Sequence, residues 1–222
     1  DFLLGEWLND EFSTWRFDRL IPLAHDSYDV ASNWKLALDT FGETYHFPVL
    51  HKNTLNNGFH GNVQCYDEDG HLHRMILCKR DIDQIRLLPE EEWDIRFAGL
   101  PVYWLFPNII LMPFEAGVYL VRTYPDRANP GRHISRINFY VDPDIDQTNP
   151  GIKEYLDFQT QGFAGVIRDE DYVMGASQQT TANAAVMPHI LFGRNEPALH
   201  HYHRTFRKML GQEPLEYLSI NE

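Results

Sequence analysis

The stretch Gly58-Phe-His-Gly-Asn-Val-Gln-Cys-Tyr-Asp-Glu-Asp-Gly-His-Leu-His-Arg-Met-Ile-Leu-Cys-Lys79 lies in the first half of a chain of 222 residues. Its arms carry Phe, Val, Tyr, Ile and Leu, and Asp67-Glu-Asp-Gly70 between them is turn chemistry, so the spacing predicts a β-hairpin over about 59–80. Towards the C-terminus the same signature continues. Strands are predicted at Tyr103 to Phe106, Ile109 to Pro113, Gly117 to Tyr124 and Arg132 to Val141. Their separators, Phe106-Pro107-Asn108, Glu115-Ala116-Gly117, Pro125 to Gly131 and the run from Asp142, are turn-rich, which predicts an antiparallel meander.

On either side of this block the apolar period changes to 3.6. From Ser32 onward, Trp34, Leu36, Ala37, Leu38, Phe41 and Tyr45 have helical spacing, with Ser32 or Asn33 as N-cap and Pro48 as terminator. After Pro150, one helix is predicted around Ile152, Tyr155, Leu156, Phe158 and Gln159, another from Tyr172 to Ala185, and a last from about Pro197 to Leu210, closed by Gly211. Helix, strands, then helices in blocks give an α+β class, with an antiparallel sheet wrapped against long helices. No repeat, low-complexity tract or linker interrupts residues 1–222, which are read as one domain.

Composition removes several functions. The chain has 19 Lys and Arg against 32 Asp and Glu, a formal net charge of −13, which disfavours nucleic acid because phosphates are held by cations. The longest apolar run, Tyr103 to Pro113, is far short of the ~20 residues of a bilayer span. The start, from Asp1 to Glu6, lacks the pattern of a signal peptide, so a cytoplasmic location is expected. With only Cys65 and Cys78, neither followed two residues later by His, the chain holds no four-thiolate zinc site, no four-cysteine cluster and no Rieske cluster.

The densest chemical signal is Asn33-Trp-Lys-Leu-Ala-Leu-Asp-Thr-Phe-Gly-Glu-Thr-Tyr-His-Phe-Pro-Val-Leu-His51. On an unbroken helix His46 and His51 would point about 140° apart. Pro48 breaks the helix and lets the second imidazole turn back. Asp39, Glu43 and His46 are spaced to share one helical stripe, so Glu43 is placed as the partner of the other ring nitrogen of a ligating His46. An oxygen ligand must come from elsewhere, and Arg168-Asp-Glu-Asp171 supplies it: Asp169 and Asp171 both qualify, with Asp169 alternatively an N-cap and Glu170 a first-turn complement to the helix dipole. Two His and one carboxylate leave open positions, the arrangement of non-haem Fe(II) oxygenases.

Taken in order, Asn33-Trp-Lys, Phe41-Gly-Glu-Thr-Tyr-His46, His51, then about 120 residues later Glu170-Asp171 with Gln179 eight positions on, resemble the catalytic domain of Rieske non-haem iron oxygenase α-subunits. Asn195 to Arg204 resembles that family's closing helix. The likeness runs from about residue 29 to 210. It implies a helix-grip (START/SRPBCC-like) fold and an Fe(II) held by His46, His51 and Asp171. Glu43 takes the place of the acid that links a ligand histidine to the cluster-binding histidine of a neighbouring subunit, so a homotrimer is implied. It further implies O2 and a small organic substrate, aromatic or hydrophobic, with NAD(P)H electrons arriving through a reductase or ferredoxin and a Rieske [2Fe-2S] cluster. The N-terminal Rieske domain of the family is expected on a part of the polypeptide other than these 222 residues. Two positions depart from the pattern: Thr40, where many members have Asn, and Ala176, where an acid is common.

The remaining histidines have plainer readings. His71 and His73 share one side of a strand and are expected on a solvated face. His200, His201 and His203 are expected at the surface or core edge of the last helix, and His60 has no evident partner. A non-catalytic pocket for hydrophobic ligands on the same fold is the main alternative to the oxygenase, and a hydrolase using metal-bound water the weaker one.

Overall fold

A computed structural model describes residues 5–186 and 189–217. Among them seven strands form one antiparallel sheet: β1 (Ile21–Val30), β2 (Phe59–Asp69), β3 (Leu72–Lys79), β4 (Gly99–Leu105), β5 (Ile109–Phe114), β6 (Gly117–Pro125) and β7 (His133–Val141). Their order is β1-β7-β6-β5-β4-β3-β2, a meander from β2 to β7 with β1 added at its far edge through pairing with β7. The helices are α1 (Gly5–Thr14), α2 (Trp34–Asp39), α3 (Ile82–Ile85), α4 (Ile95–Ala98), α5 (Pro150–Asp157), α6 (Phe163–Val166), α7 (Tyr172–Asn183) and α8 (Pro197–Met209). None of the described helices is long and apolar enough to cross a membrane.

The α+β class and the predicted hairpin and strands are present. Gly70 turns the β2–β3 hairpin at φ +59°, a conformation that only glycine adopts without strain. Along β7 the residues His133, Ser135, Ile137, Phe139 and Val141 are buried and those between them are less so, the period of a sheet with one packed face. On that face lies the main core, with Met75, Val102, Ile110, Val121, Ile137 and Phe139 almost fully enclosed. The covering layer is α2, which packs on β6, β7 and α7, and α8, which packs on β2 and β3. A smaller cluster, Leu8, Leu72 and Tyr103, places α1 on the opposite face of the sheet, because Tyr103 alternates with the core residues Val102 and Trp104 along β4.

The helix expected from Ser32 to Pro48 is much shorter. It starts at the predicted cap, with Asn33 Oδ1 accepting the Lys35 amide at 2.9 Å, but ends at Asp39. Thr40 Oγ1 bonds back to the Ala37 carbonyl, and a Cβ at Gly42 would collide with Leu199 of α8, so this glycine is where the last helix approaches the backbone. Residues 40–54 form a chain of turns. Asp39, Glu43 and His46 therefore do not share a helical stripe, and Asp39 pairs with His203 at 2.8 Å instead.

The two helices expected after Pro150 are a single helical run from 150 to 183, α5, α6 and α7 being joined by π-helical turns at Phe158–Gly162 and Ile167–Asp171. Each wide turn re-aims the side chains that follow it, a feature common at functional sites.

Candidate metal centre

His46 and His51 lie on the turns after α2, and Asp171 closes the second π-helical turn. The structure brings all three together. His46 Nε2 is 3.8 Å and His51 Nε2 3.3 Å from Asp171 Oδ1, the two imidazole centroids are 4.9 Å apart, and one ligand atom from each residue lies within 4.8 Å of the others. No other group of three or more such side chains converges in this way among the described residues.

The loop that presents the histidines is pinned by its own side chains. Glu43 receives the His46 amide on one carboxylate oxygen, at 3.1 Å, and the His46 Nδ1 on the other. Thr44, buried, accepts the Asn62 amide at 3.0 Å and donates to Gln64 at 3.2 Å, which ties the loop to β2 where Asn62 takes a positive φ and the strand bulges. Phe47 packs edge-on against both imidazoles and against Phe59.

Each imidazole is oriented through its Nδ1. His51 Nδ1 donates to Glu170 Oε2 at 2.6 Å, and Thr54 Oγ1 donates to the same oxygen at 2.9 Å. Both histidines so held present Nε2 to Asp171, the arrangement by which a carboxylate fixes the tautomer of a metal-binding histidine. His46 Nε2 is buried and has no hydrogen-bond partner at all, and a buried imidazole nitrogen left unpaired is costly. A cation at the centre of the triad satisfies it, and two imidazoles with one carboxylate suit a divalent transition metal. Burial of His51 opposes its charged form, but Asp171 and Glu170 outweigh it, and the pKa in the metal-free chain is raised above its usual value.

A family model described as the ring hydroxylating α subunit, catalytic domain, matches residues 17–212. The chain belongs to this family. Among solved structures it is similar to the quaternary ammonium Rieske monooxygenase CntA in complex with L-carnitine, at 11% identity and TM-score 0.66 over 92% of this chain and 54% of that one. It is similar also to naphthalene 1,2-dioxygenase from Rhodococcus sp. bound to indole, at 17% identity and TM-score 0.57 over 96% and 62%. Dicamba monooxygenase bound to dicamba follows at 12% identity and TM-score 0.53, over 85% and 57%. At these identities the likeness is one of fold, and the chain spans about half the length of most of these structures. No curated protein sequence matches it significantly.

Within this ring-hydroxylating α-subunit domain the other candidates separate cleanly. Asp169 is exposed and paired with Arg168, so it plays no part in the cluster. Glu170, read from the sequence as a dipole complement, is instead the partner of His51, and Thr54 had no signal in the sequence. Gln179 accepts the Asn33 amide at 2.7 Å and thereby locks α7 to the start of α2.

His73 contradicts the expectation of a solvated face. It is fully buried under α8, with its ring 4.7 Å from Trp104 and 5.1 Å from His201. A strand pattern cannot tell which face a helix 120 residues later will cover. Burial holds the pKa of His73 well down, and that of His201 lower although Glu68 lies 3.0 Å away. His60 has a partner after all, Asp83 at 3.0 Å.

Proposed function

We propose that this chain is the mononuclear-iron part of a Rieske-type oxygenase, with Fe(II) held by His46 Nε2, His51 Nε2 and the Asp171 carboxylate. The observation that carries the proposal is the orphaned, buried His46 Nε2 facing an imidazole and a carboxylate that have no structural need to meet it. When bound, Fe(II) with these three ligands supplies open positions at which O2 is activated.

The residues of the chain do the rest. Glu43 and Glu170 hold the two Nδ1–H groups, so both Nε2 lone pairs stay aimed at one point. Phe47 covers both imidazoles and keeps bulk water from the ring faces. The part of the helical run that precedes Asp171 packs Ile167, Ala164 and Phe163 into the core, where Phe163 meets Tyr119 at 4.3 Å between ring centroids. These apolar side chains, which precede Asp171 along the same helical run, support the reading of a hydrophobic or aromatic organic substrate. Its oxidation as hydroxylation, dihydroxylation or oxidative demethylation follows from the same ligand set, since monooxygenases and a dioxygenase share the fold.

Two electrons must come from outside the 222 residues, because Cys65 and Cys78 cannot bind a cluster. In this reading residues 1–222 are one catalytic domain, the Rieske cluster sits on another part of the polypeptide, and a reductase or ferredoxin feeds it from NAD(P)H. Glu43 is the bridge: it already holds His46 and lies near the surface, flanked by the exposed Tyr45 and Val49, which suits a neighbouring subunit in a closed trimer.

Metal analysis after anaerobic loading tests the proposal. One Fe(II) per chain is expected, lost in His46→Ala and in Asp171→Ala while the fold persists. No iron in the wild-type chain, or equal iron in both variants, would overturn it.

A further inference from the structure

The head of α8 touches the metal-binding loop at a point no metal ligand occupies. Tyr45 lies between Glu43 and His46, and its ring stands half exposed, yet its hydroxyl reaches inward and donates to Glu196 Oε1 at 2.6 Å. Glu196 is a buried acid, 4% exposed, at the N-terminal end of α8. Its other oxygen accepts the Gly193 amide, so both oxygens are used and neither serves as a helix cap.

A buried carboxylate needs such partners, and this one takes one of its two from the hydroxyl of a half-exposed tyrosine. Three further contacts tie α8 and the residues just before it to α2, the loop and β2. Leu199 fills the space beside Gly42, His203 holds Asp39, and Asn195 donates to Asn62 at 3.1 Å on the bulge that also receives Thr44. The loop is thus clamped between β2 and α8, and among the described residues Tyr45 links the stretch between Glu43 and His46 to the head of α8.

We infer that Glu196 is a positioning residue for the metal centre: through Tyr45 it holds the Glu43–His46 turn from the head of α8, about 150 residues downstream. The inference rests on the metal-centre reading above. Releasing the tyrosine hydroxyl leaves Thr44 anchored to β2 but frees the outer side of the turn. Glu43 then loses its fixed register with His46 Nδ1, and His46 Nε2 loses its aim.

The test uses Tyr45→Phe, which removes one oxygen from a half-exposed side chain, and Glu196→Gln. Two readouts are taken on the full chain: amide hydrogen exchange over residues 43–50 without metal, and Co(II) titration followed by its ligand-field spectrum. Both variants are expected to exchange about tenfold faster over the turn and to bind Co(II) about tenfold more weakly with an altered spectrum, the effect of one charge-assisted hydrogen bond. Wild-type exchange with an unchanged Co(II) spectrum would overturn the inference, as would a lowered melting temperature with both readouts intact. If Glu196→Gln does not fold, Tyr45→Phe decides alone. If the wild-type chain takes no Co(II), the metal reading fails and the exchange data still judge the clamp.

Discussion

Glu170 shows how much of a metal site lies outside its ligands. It precedes Asp171 in the chain, yet its side chain turns to His51 and Thr54 while Asp171 faces both imidazoles. From this π-helical turn the two adjacent acids reach the two nitrogens of one imidazole, Glu170 the Nδ1 and Asp171 the Nε2 of His51. Removing such an outer partner usually costs about 10–100-fold in metal affinity. Glu170→Ala is therefore expected to weaken Co(II) or Fe(II) binding by that order with the fold retained by circular dichroism, and Thr54→Val by less. Equal affinity in Glu170→Ala would mean that His51 needs no orienting partner. From sequence, His46 and His51 stand out by the break at Pro48, but Asp169 and Asp171 fit the residue pattern equally and only the family resemblance selects Asp171. Glu170 was not legible, since the same position serves equally as a helix-dipole complement, and only the path of the turn decides.

At the scale of elements, the strands from β2 to β7 and the last helix were legible, while the helix predicted after Ser32 is too long and β1 is missed. Pro107, Gly117 and the run from Pro125 to Gly131 mark strand ends by backbone chemistry that does not depend on packing, and β4 to β7 lie where those turns put them. The helix through Trp34 and Leu38 was extended too far because Phe41 and Tyr45 keep its period. Tertiary contact wins there: Gly42 sits under Leu199, and a glycine already costs a helix about 1 kcal/mol. Gly42→Ala is expected to force the α8 head away and to destabilise by about 1–3 kcal/mol, the cost of overpacking. Thermal melting checks this, with a drop of roughly 2–4 °C per kcal/mol for a domain of this size. β1 escaped notice for the opposite reason. It is an edge strand with Pro22 near a register shift and with His25, Asp26 and Asp29 along it, so its alternation is polar on one side and interrupted on the other. α1 covers the reverse face of the sheet through Leu8 and Trp7, and a ten-residue segment with this little periodicity carries no signal until that face is known.

For the whole molecule, the buried histidines set a pH dependence. His73, His133 and His201 all have folded pKa values lowered by burial, so below the unfolded value of about 6.5 the unfolded chain binds more protons than the folded one. Their contribution is intact above that pH and is lost as the pH falls. His51 runs the other way: its pKa is raised, so its stabilisation is present below about 6.5 and fades as pH rises through the folded value. From His73, His133 and His201 the metal-free chain is expected to lose stability between pH 7.5 and 5.5, with His51 opposing that loss, read by urea unfolding at each pH. His73→Phe, which keeps an aromatic ring beside Trp104, is expected to flatten that slope. An unchanged slope would show that the pair under α8 does not titrate with unfolding.

The candidate centre forms where the turns after α2, carrying His46 and His51, converge with Asp171 of the helical run after β7. Anomalous diffraction at the iron edge from crystals loaded anaerobically with Fe(II) tests it most directly. One peak is expected, bonded to His46 Nε2, His51 Nε2 and an Asp171 carboxylate oxygen, with Glu43 and Glu170 still on the two Nδ1 atoms. Iron bound elsewhere, iron held through Nδ1, or no peak at the triad would contradict it.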